Sequence, residues 1–224
     1  VTIQELQTNY GTMFVPDTDN GQYGWLMTVG VSPEDEFIEE VRKLLEERPK
    51  GCIVDVGANF GCWSMALHNA AHRVVAIEPQ QVVRQLLAKS CAPYKNISIY
   101  AVAAGAEPGN TLIPVLNIDK DTNFGGISLG IPHHEQPEAL MDSVQVVRGD
   151  DLLQSDRVSF IKIDVEGFEE RVLLGLKNTI ARCQPILFVE VDHPRTDKKK
   201  VCEWIEKMGY MLNQRGGNIL AMPM

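Results

Sequence analysis

Short apolar runs rich in β-branched residues alternate along this chain with stretches of helical period, and that alternation leaves few architectures open. CIVDVG (52–57), RVVAIEP (73–79), ISIYAVA (97–103), FIKID (160–164) and ILFVEVD (186–192) read as strands. Between them lie a helix opening from a glycine loop and running to about Ala71, and one striped by Val82, Val83, Leu86 and Leu87. A third carries Val172, Leu173, Leu176 and Ile180, and a fourth Val201, Trp204, Ile205 and Met208. An earlier helix is marked by Ser32-Pro33-Glu34-Asp35, which has the cap, proline and acid of a helix start; Phe37, Ile38, Val41, Leu44 and Leu45 form its stripe and Arg48-Pro49 closes it. Tyr210–Gln214 and Asn218–Met222, turned at Gly216-Gly217, read as a closing antiparallel hairpin. Together these predict an α/β fold whose mostly parallel sheet carries helices on both faces and a C-terminal hairpin, with ligands at the carboxyl ends of the strands.

The 224 residues fit a single domain. Residues 1–50 read as a helical and irregular cap, and 106–150, with β-like stretches at Thr111–Leu116 and Ser143–Arg148, as an insertion over the active site. A net charge of −9 disfavours nucleic acid as a partner, because such binding draws on Lys and Arg. The basic run Lys198–Lys200 beside Asp197 reads as a solvated first helical turn. Membrane insertion is not expected without an apolar run of about 18 residues, and the expected location is the cytoplasm. Cys52, Cys62, Cys91, Cys183 and Cys202 are scattered, form no CxxC pair, and read as reduced thiols rather than zinc ligands.

Chemistry concentrates after the first of the central strands. Asp55, Gly57, Asn59 and Gly61 bring small residues to a βα turn, where backbone can approach a ligand and a helix N-terminus offers free N–H groups. About 20 residues on, Glu78 ends the next strand, placed to accept both hydroxyls of an adenosine ribose. A GxGxxG dinucleotide loop begun at Gly57 needs glycine at 59 and glycine or alanine at 62, where this chain has Asn59 and Cys62; no Walker loop occurs. Asp55 suits a cationic ligand better than a diphosphate, so a sulfonium cofactor, S-adenosylmethionine, fits best.

DVGANFGCWS (55–64), AIEP (76–79), FIKIDVEGFEERVLLGL (160–176) and ILFVEVD (186–192) resemble the FkbM-type methyltransferases, a branch of the Rossmann-like class I S-adenosylmethionine-dependent enzymes. The resemblance runs from about Phe37 to Val191. It implies O-methylation of a hydroxyl on a sugar, polyketide or other small natural product. Carried over, Asp55, Gly57, Asn59, Gly61, Ser64 and Glu78 contact the cofactor, joined by Pro79 and Ala103, with Asp164 at its methionyl end. Asn123-Phe124-Gly125-Gly126-Ile127-Ser128 matches a turn often found before the second motif. Methyl transfer to nitrogen or to protein side chains stands as an alternative, as does a catalytically silent cofactor-binding protein; a nicotinamide oxidoreductase is opposed by Asn59 and Cys62.

An aliphatic hydroxyl benefits from a base, and Asp164, Glu166 and His193 are the candidates, all at strand mouths. The bland readings are a helix-start acid for Glu166 and a loop histidine for His193. Lys162 alternates with Asp164 on a central strand and needs a partner; Glu190 on the following strand is the expected one, with Asp164 or Glu166 as the alternative. His133-His134 reads as solvated. Asp119, Asp121, Asp150 and Asp151 lack metal-site spacing, and no metal is expected. Tyr23, Trp25, Trp63 and Phe124 read as core or turn packing before pocket lining. Acceptor choice is expected in residues 1–36 and 106–150; oligomeric state is not readable.

Overall fold

In the computed structural model, which describes residues 1–22, 24, 26, 32 and 34–224, the alternation closes into a seven-stranded sheet. Its strands are β3 (Gly51–Val56), β4 (Ala71–Ile77), β5 (Ile97–Tyr100), β9 (Val158–Ile163), β10 (Ile186–Glu190), β11 (Tyr210–Arg215) and β12 (Asn218–Pro223), ordered β11-β12-β10-β9-β3-β4-β5. The five strands from β10 to β5 are parallel, and β12 and β11 add the antiparallel hairpin. Successive residues of the central strands face opposite sides. Ile53, Phe160 and Phe188 enter one buried cluster, while Val54, Ile161 and Leu187 enter the other. Both faces are covered, which is why these strands read as unbroken apolar runs.

Helices α1 (Asp35–Glu46), α2 (Cys62–Leu67) and α3 (Gln81–Cys91) contribute to the first cluster; α5 (Glu169–Gly175), α6 (Lys177–Cys183) and α7 (Lys198–Lys207) contribute to the second, and α4 (Gly149–Leu152) is a single turn. Trp63 of α2 stacks on Phe160 at 5.7 Å and meets Phe188 at 4.9 Å, so it is core. Phe124 is also buried. Tyr23, Trp25 and Pro33 lie outside the described residues. In α7, Asp197 caps Lys200 N at 3.1 Å, and Lys198–Lys200 occupy the exposed first turn. All five cysteines are free thiols. Among the described residues no helix is long and apolar enough to cross a membrane.

Three expectations need correction. The cap is not only helical and irregular: β1 (Ile3–Thr8) and β2 (Gly11–Pro16) form a hairpin that buries Met13 and Val15. The third central strand does not run to Ala103. It ends at Tyr100, and Ala103–Ala104 form β6, which pairs with β8 (Met141–Val147) alongside β7 (Gly109–Pro114) in a separate three-stranded sheet. The helix carrying Val172 to Ile180 divides at Leu176, just after Gly175, which lies so close to Gly105 that a Cβ there would sit 2.0 Å from the Gly105 carbonyl oxygen. The connection between β7 and β8 and the segment after β2 meet where Asp19 bridges Thr122, with Asn20 N donating to Thr122 O at 3.1 Å. That contact spans about a hundred residues of chain and roofs the carboxyl ends of the large sheet.

Candidate active site

Beneath that roof is a cavity of about 350 Å³, within the range of small-molecule sites. Its floor is the carboxyl ends of four adjacent strands, which contribute Gly57, Glu78, Asp164 and Glu190; its roof includes Gln22 and Asn123. Gly57 adopts φ +80°, and a Cβ there would lie 1.8 Å from the Asp164 carbonyl oxygen, so the turn admits only glycine. Asn59 follows at φ +48°, a left-handed conformation that asparagine tolerates better than most residues. Gly61, at φ +98°, begins α2.

Glu78 is 3% exposed, and its two oxygens are held by backbone donors: Asn59 N at 3.0 Å and Gln80 N at 2.9 Å. Burial pushes its carboxyl up to about 7, the two N–H donors and the more distant Lys162 and Arg84 pulling the other way. Each oxygen keeps lone-pair capacity on the cavity side. Pro79 and Ala103 line the same wall, as do Asn59 and Asp164. Asp55, Gly61 and Ser64 are not brought to it. Asp55 is 1% exposed under the loop, accepting from Ser64 Oγ at 2.6 Å, and Ser64 is fully buried. The helix geometry that turns Ser64 down onto Asp55 removes its hydroxyl from ligand reach.

Lys162 is not paired with Glu190. In the parallel register Lys162 is level with Asp55 of β3 on one side and Phe188 of β10 on the other. Its Nζ lies 3.1 Å from Asp164 Oδ2 and 3.9 Å from Asp55 Oδ1, and donates to Gly57 O at 2.8 Å. Burial favours the neutral amine, but Asp164, Asp55 and Glu34 together outweigh it and hold the ammonium charged. Burial also raises the Asp55 carboxyl, against Lys162 and Ser64. Glu190, two residues beyond Phe188, joins Asp164 instead; burial and the Asp164 and Glu166 charges push it well above the ordinary carboxyl range.

One oxygen each of Asp164, Glu166 and Glu190 lies within 4.8 Å of the others. A divalent cation could fit that spacing, with Lys162 beside it contributing one positive charge to Asp164. Glu166 has φ +53°, and its carboxyl rises to about 7 through burial and the charges of Asp164 and Glu169. His193 stands beside it, Nε2 to Oε2 at 3.5 Å.

The other sequence candidates are occupied elsewhere. Asp150 accepts from Asn178 N and Thr179 N at the start of α6, Asp151 pairs with Arg148 at 2.8 Å, and Asp119 meets the N-terminal ammonium at 3.4 Å. His133 is buried rather than solvated, 3% exposed, with its ring tilted against that of the exposed His134 at 4.7 Å. Sequence reasoning missed Gln22, and it assigned Glu34 only to the helix start although this residue accepts from Trp63 Nε1 at 2.8 Å. No local pattern marks Gln22.

Glu78 and Glu166 fold with carboxyls near 7 against an ordinary value near 4.5, so the folded chain holds protons that the unfolded chain releases. Their contribution to stability is complete below about pH 4.5 and is lost as pH rises through about 7; Glu190 extends the trend upward. The ligand-free protein is therefore expected to melt several degrees lower at pH 8.5 than at pH 6. An equal or higher melting temperature at pH 8.5 contradicts this account of the site.

The sequence model of the methyltransferase FkbM domain matches residues 55–212. Among solved structures, the methyltransferase FkbM from Methylobacillus flagellatus KT superposes with a TM-score of 0.57 at 21% identity, covering 77% of this chain and 43% of its own. The chain thus spans less than half the length of that protein. A putative caffeoyl-CoA O-methyltransferase from Staphylococcus aureus gives a TM-score of 0.52 at 15% identity, covering 84% and 83% of the two chains. A putative methyltransferase from Streptococcus mutans, solved in complex with SAH, gives 0.50 at 12%, covering 83% and 95%. These likenesses establish the fold. No curated protein sequence matches the chain.

Proposed function

Because this chain belongs to the methyltransferase FkbM domain family, we propose that it is a single-domain S-adenosylmethionine-dependent O-methyltransferase acting on a hydroxyl of a sugar, polyketide or other small natural product. The observation that carries the cofactor half is the pairing of Glu78 with the glycine turn on one cavity wall. Glu78 is fixed by two backbone donors with its remaining lone pairs toward the cavity, where ribose hydroxyls can donate. Pro79 and Ala103 give the flat apolar flanks an adenine needs. Gln22 Oε1, Asn59 Oδ1 and Glu190 Oε2 are buried without a donor, and all three residues line the cavity. Unpaired buried acceptors are costly, and a cationic ligand bearing an ammonium relieves them. Asp55 and Ser64 then act from beneath, holding the turn.

When bound, S-adenosylmethionine supplies an electrophilic methyl on a positively charged sulfur. The residues of the chain position it and exclude water, which is where much of the rate of an in-line displacement originates. Asp164, held by Lys162, sets a negative field at the floor near the reacting centre. The roof elements, from Asn20 to Gln22 and from Asn123 to Leu129, shape the acceptor side. Five reduced thiols accord with action in the cytoplasm.

The test is a panel of acceptors with methyl-labelled cofactor, divided into hydroxyl-bearing sugars and polyketides, amines, and proteins. Label in the ether oxygen of a small hydroxyl acceptor is expected. Transfer confined to amines or proteins replaces the acceptor assignment, and cofactor binding without transfer to any class points to a silent binding protein.

A further inference from the structure

The three candidate bases are not equivalent in the structure, and their hydrogen bonds separate them. His193 Nδ1 accepts from Arg195 N at 3.1 Å, which uses the lone pair of that nitrogen and places the ring proton on Nε2. Nε2 faces Glu166 Oε2 at 3.5 Å and Ser128 Oγ at 3.4 Å. The Ser128 hydroxyl is itself spent as a donor to Glu166 O at 2.6 Å, so its oxygen is left to accept. A neutral imidazole in this arrangement has no lone pair to offer an incoming hydroxyl. Asp164 is engaged by Lys162 at 3.1 Å. Glu166 lines the cavity, and among the described residues no donor reaches its Oε1.

The chain also spends several contacts on holding Glu166 in a left-handed conformation that is unfavourable for a residue with a Cβ. Ser128, from the insertion, grips its carbonyl. Glu169, 1% exposed, accepts from Val165 N at 3.3 Å and Gly167 N at 3.0 Å on either side of it. The second oxygen of Glu169 accepts from Thr196 Oγ1 at 2.6 Å, tying this turn to the one bearing His193. Gly167 has φ +97°, and a Cβ there would meet His193 Nδ1 at 2.8 Å.

We propose that Glu166 is the base that takes the acceptor's proton, and that His193 is a positioning residue that orients Glu166 through Nε2–H. This rests on the methyltransferase reading above. As the acceptor oxygen's electron pair forms the new bond to carbon, the carbon–sulfur pair stays on sulfur and the hydroxyl proton passes to Glu166 Oε1. The products are an ether, a neutral thioether and protonated Glu166, which returns its proton to water. The carboxyl near 7 suits that exchange. The groups facing it are Asp164, Glu169, Glu190, Lys162 and His193.

Two measurements on the full chain test it. Long-range proton–nitrogen spectra of histidine-labelled protein, with S-adenosylhomocysteine present, are expected to show His193 protonated on Nε2 and bare on Nδ1 at pH 8. A proton on Nδ1 overturns the proposal and needs no acceptor. With an acceptor from the panel, kcat of the wild type is expected to rise through an ionisation near pH 7. Glu166→Gln should lower kcat at least a hundredfold and erase that limb, with Glu166→Asp recovering part of it. His193→Gln should lower kcat about tenfold and keep the limb. Loss of the limb in His193→Gln with its retention in Glu166→Gln reverses the two roles. Both variants should bind S-adenosylhomocysteine as the wild type does, so failure of the wild type to bind it counts against the methyltransferase reading instead.

Discussion

Replacing Glu78 with alanine is expected to weaken S-adenosylhomocysteine binding by about a hundredfold to ten-thousandfold. Two hydrogen bonds from ribose hydroxyls to a buried carboxylate are lost together, each worth about 1.5–3 kcal/mol. The same substitution should leave the melting temperature of the free protein within a few degrees of the wild type. The carboxyl sits at 3% exposure with its ionisation already resisted by burial, so its removal also relieves a cost. Asn59 N and Gln80 N lose their acceptor, but they border the cavity, where water can replace it. A large binding loss on an unchanged fold is what distinguishes a ligand contact from a structural carboxylate. Equal affinity in Glu78→Ala removes the residue from the cofactor site.

Lys162→Met is expected to destabilise the chain by about 3–5 kcal/mol, the usual cost of removing one member of a buried ionic group. For a protein of this size that corresponds to a fall in melting temperature of about 6–20 °C. Lys162 is the one cation within 4 Å of both Asp55 and Asp164 among the described residues, and its Nζ also holds the Gly57 carbonyl. Without it those carboxylates are stranded, and they should take up protons. The deficit is therefore expected to shrink as pH falls from 8 to 5. A Lys162→Met variant that melts with the wild type at pH 8 contradicts the charge network. Had Glu190 been the partner, the Asp55 and Asp164 side chains would feel little of the change.

The strands and the glycine turn were readable because each obeys a local rule. A strand buried on both faces is continuously apolar, and a turn packed against the Asp164 carbonyl must be glycine, as Gly57 is. Glu78 was readable through its spacing from that turn. The partner of Lys162 was not, because a central strand has a neighbour on each side. Glu190 is on a true neighbour, yet Asp55 on the other neighbour has the matching register. Ser64 was assigned by its place in a motif, whereas its direction depends on how α2 lies over β3. The roof was illegible for a different reason. Asn20–Gln22 and Asn123–Leu129 become one surface only through the Asp19–Thr122 bridge, and nothing within either segment specifies the other. The β1–β2 hairpin is half-exposed and short, so its periodicity is weak. The separation of Glu166 from His193 required hydrogen-bond directions that only placed side chains provide.

The central claim is that the cavity beneath the roof holds the sulfonium cofactor, and calorimetric titration with S-adenosylhomocysteine tests it most directly. The expected result is one saturable site whose binding releases protons below pH 7, as ribose hydroxyls favour the ionised form of Glu78. No heat and no melting shift at millimolar S-adenosylhomocysteine, alongside saturable binding of a dinucleotide, would contradict it.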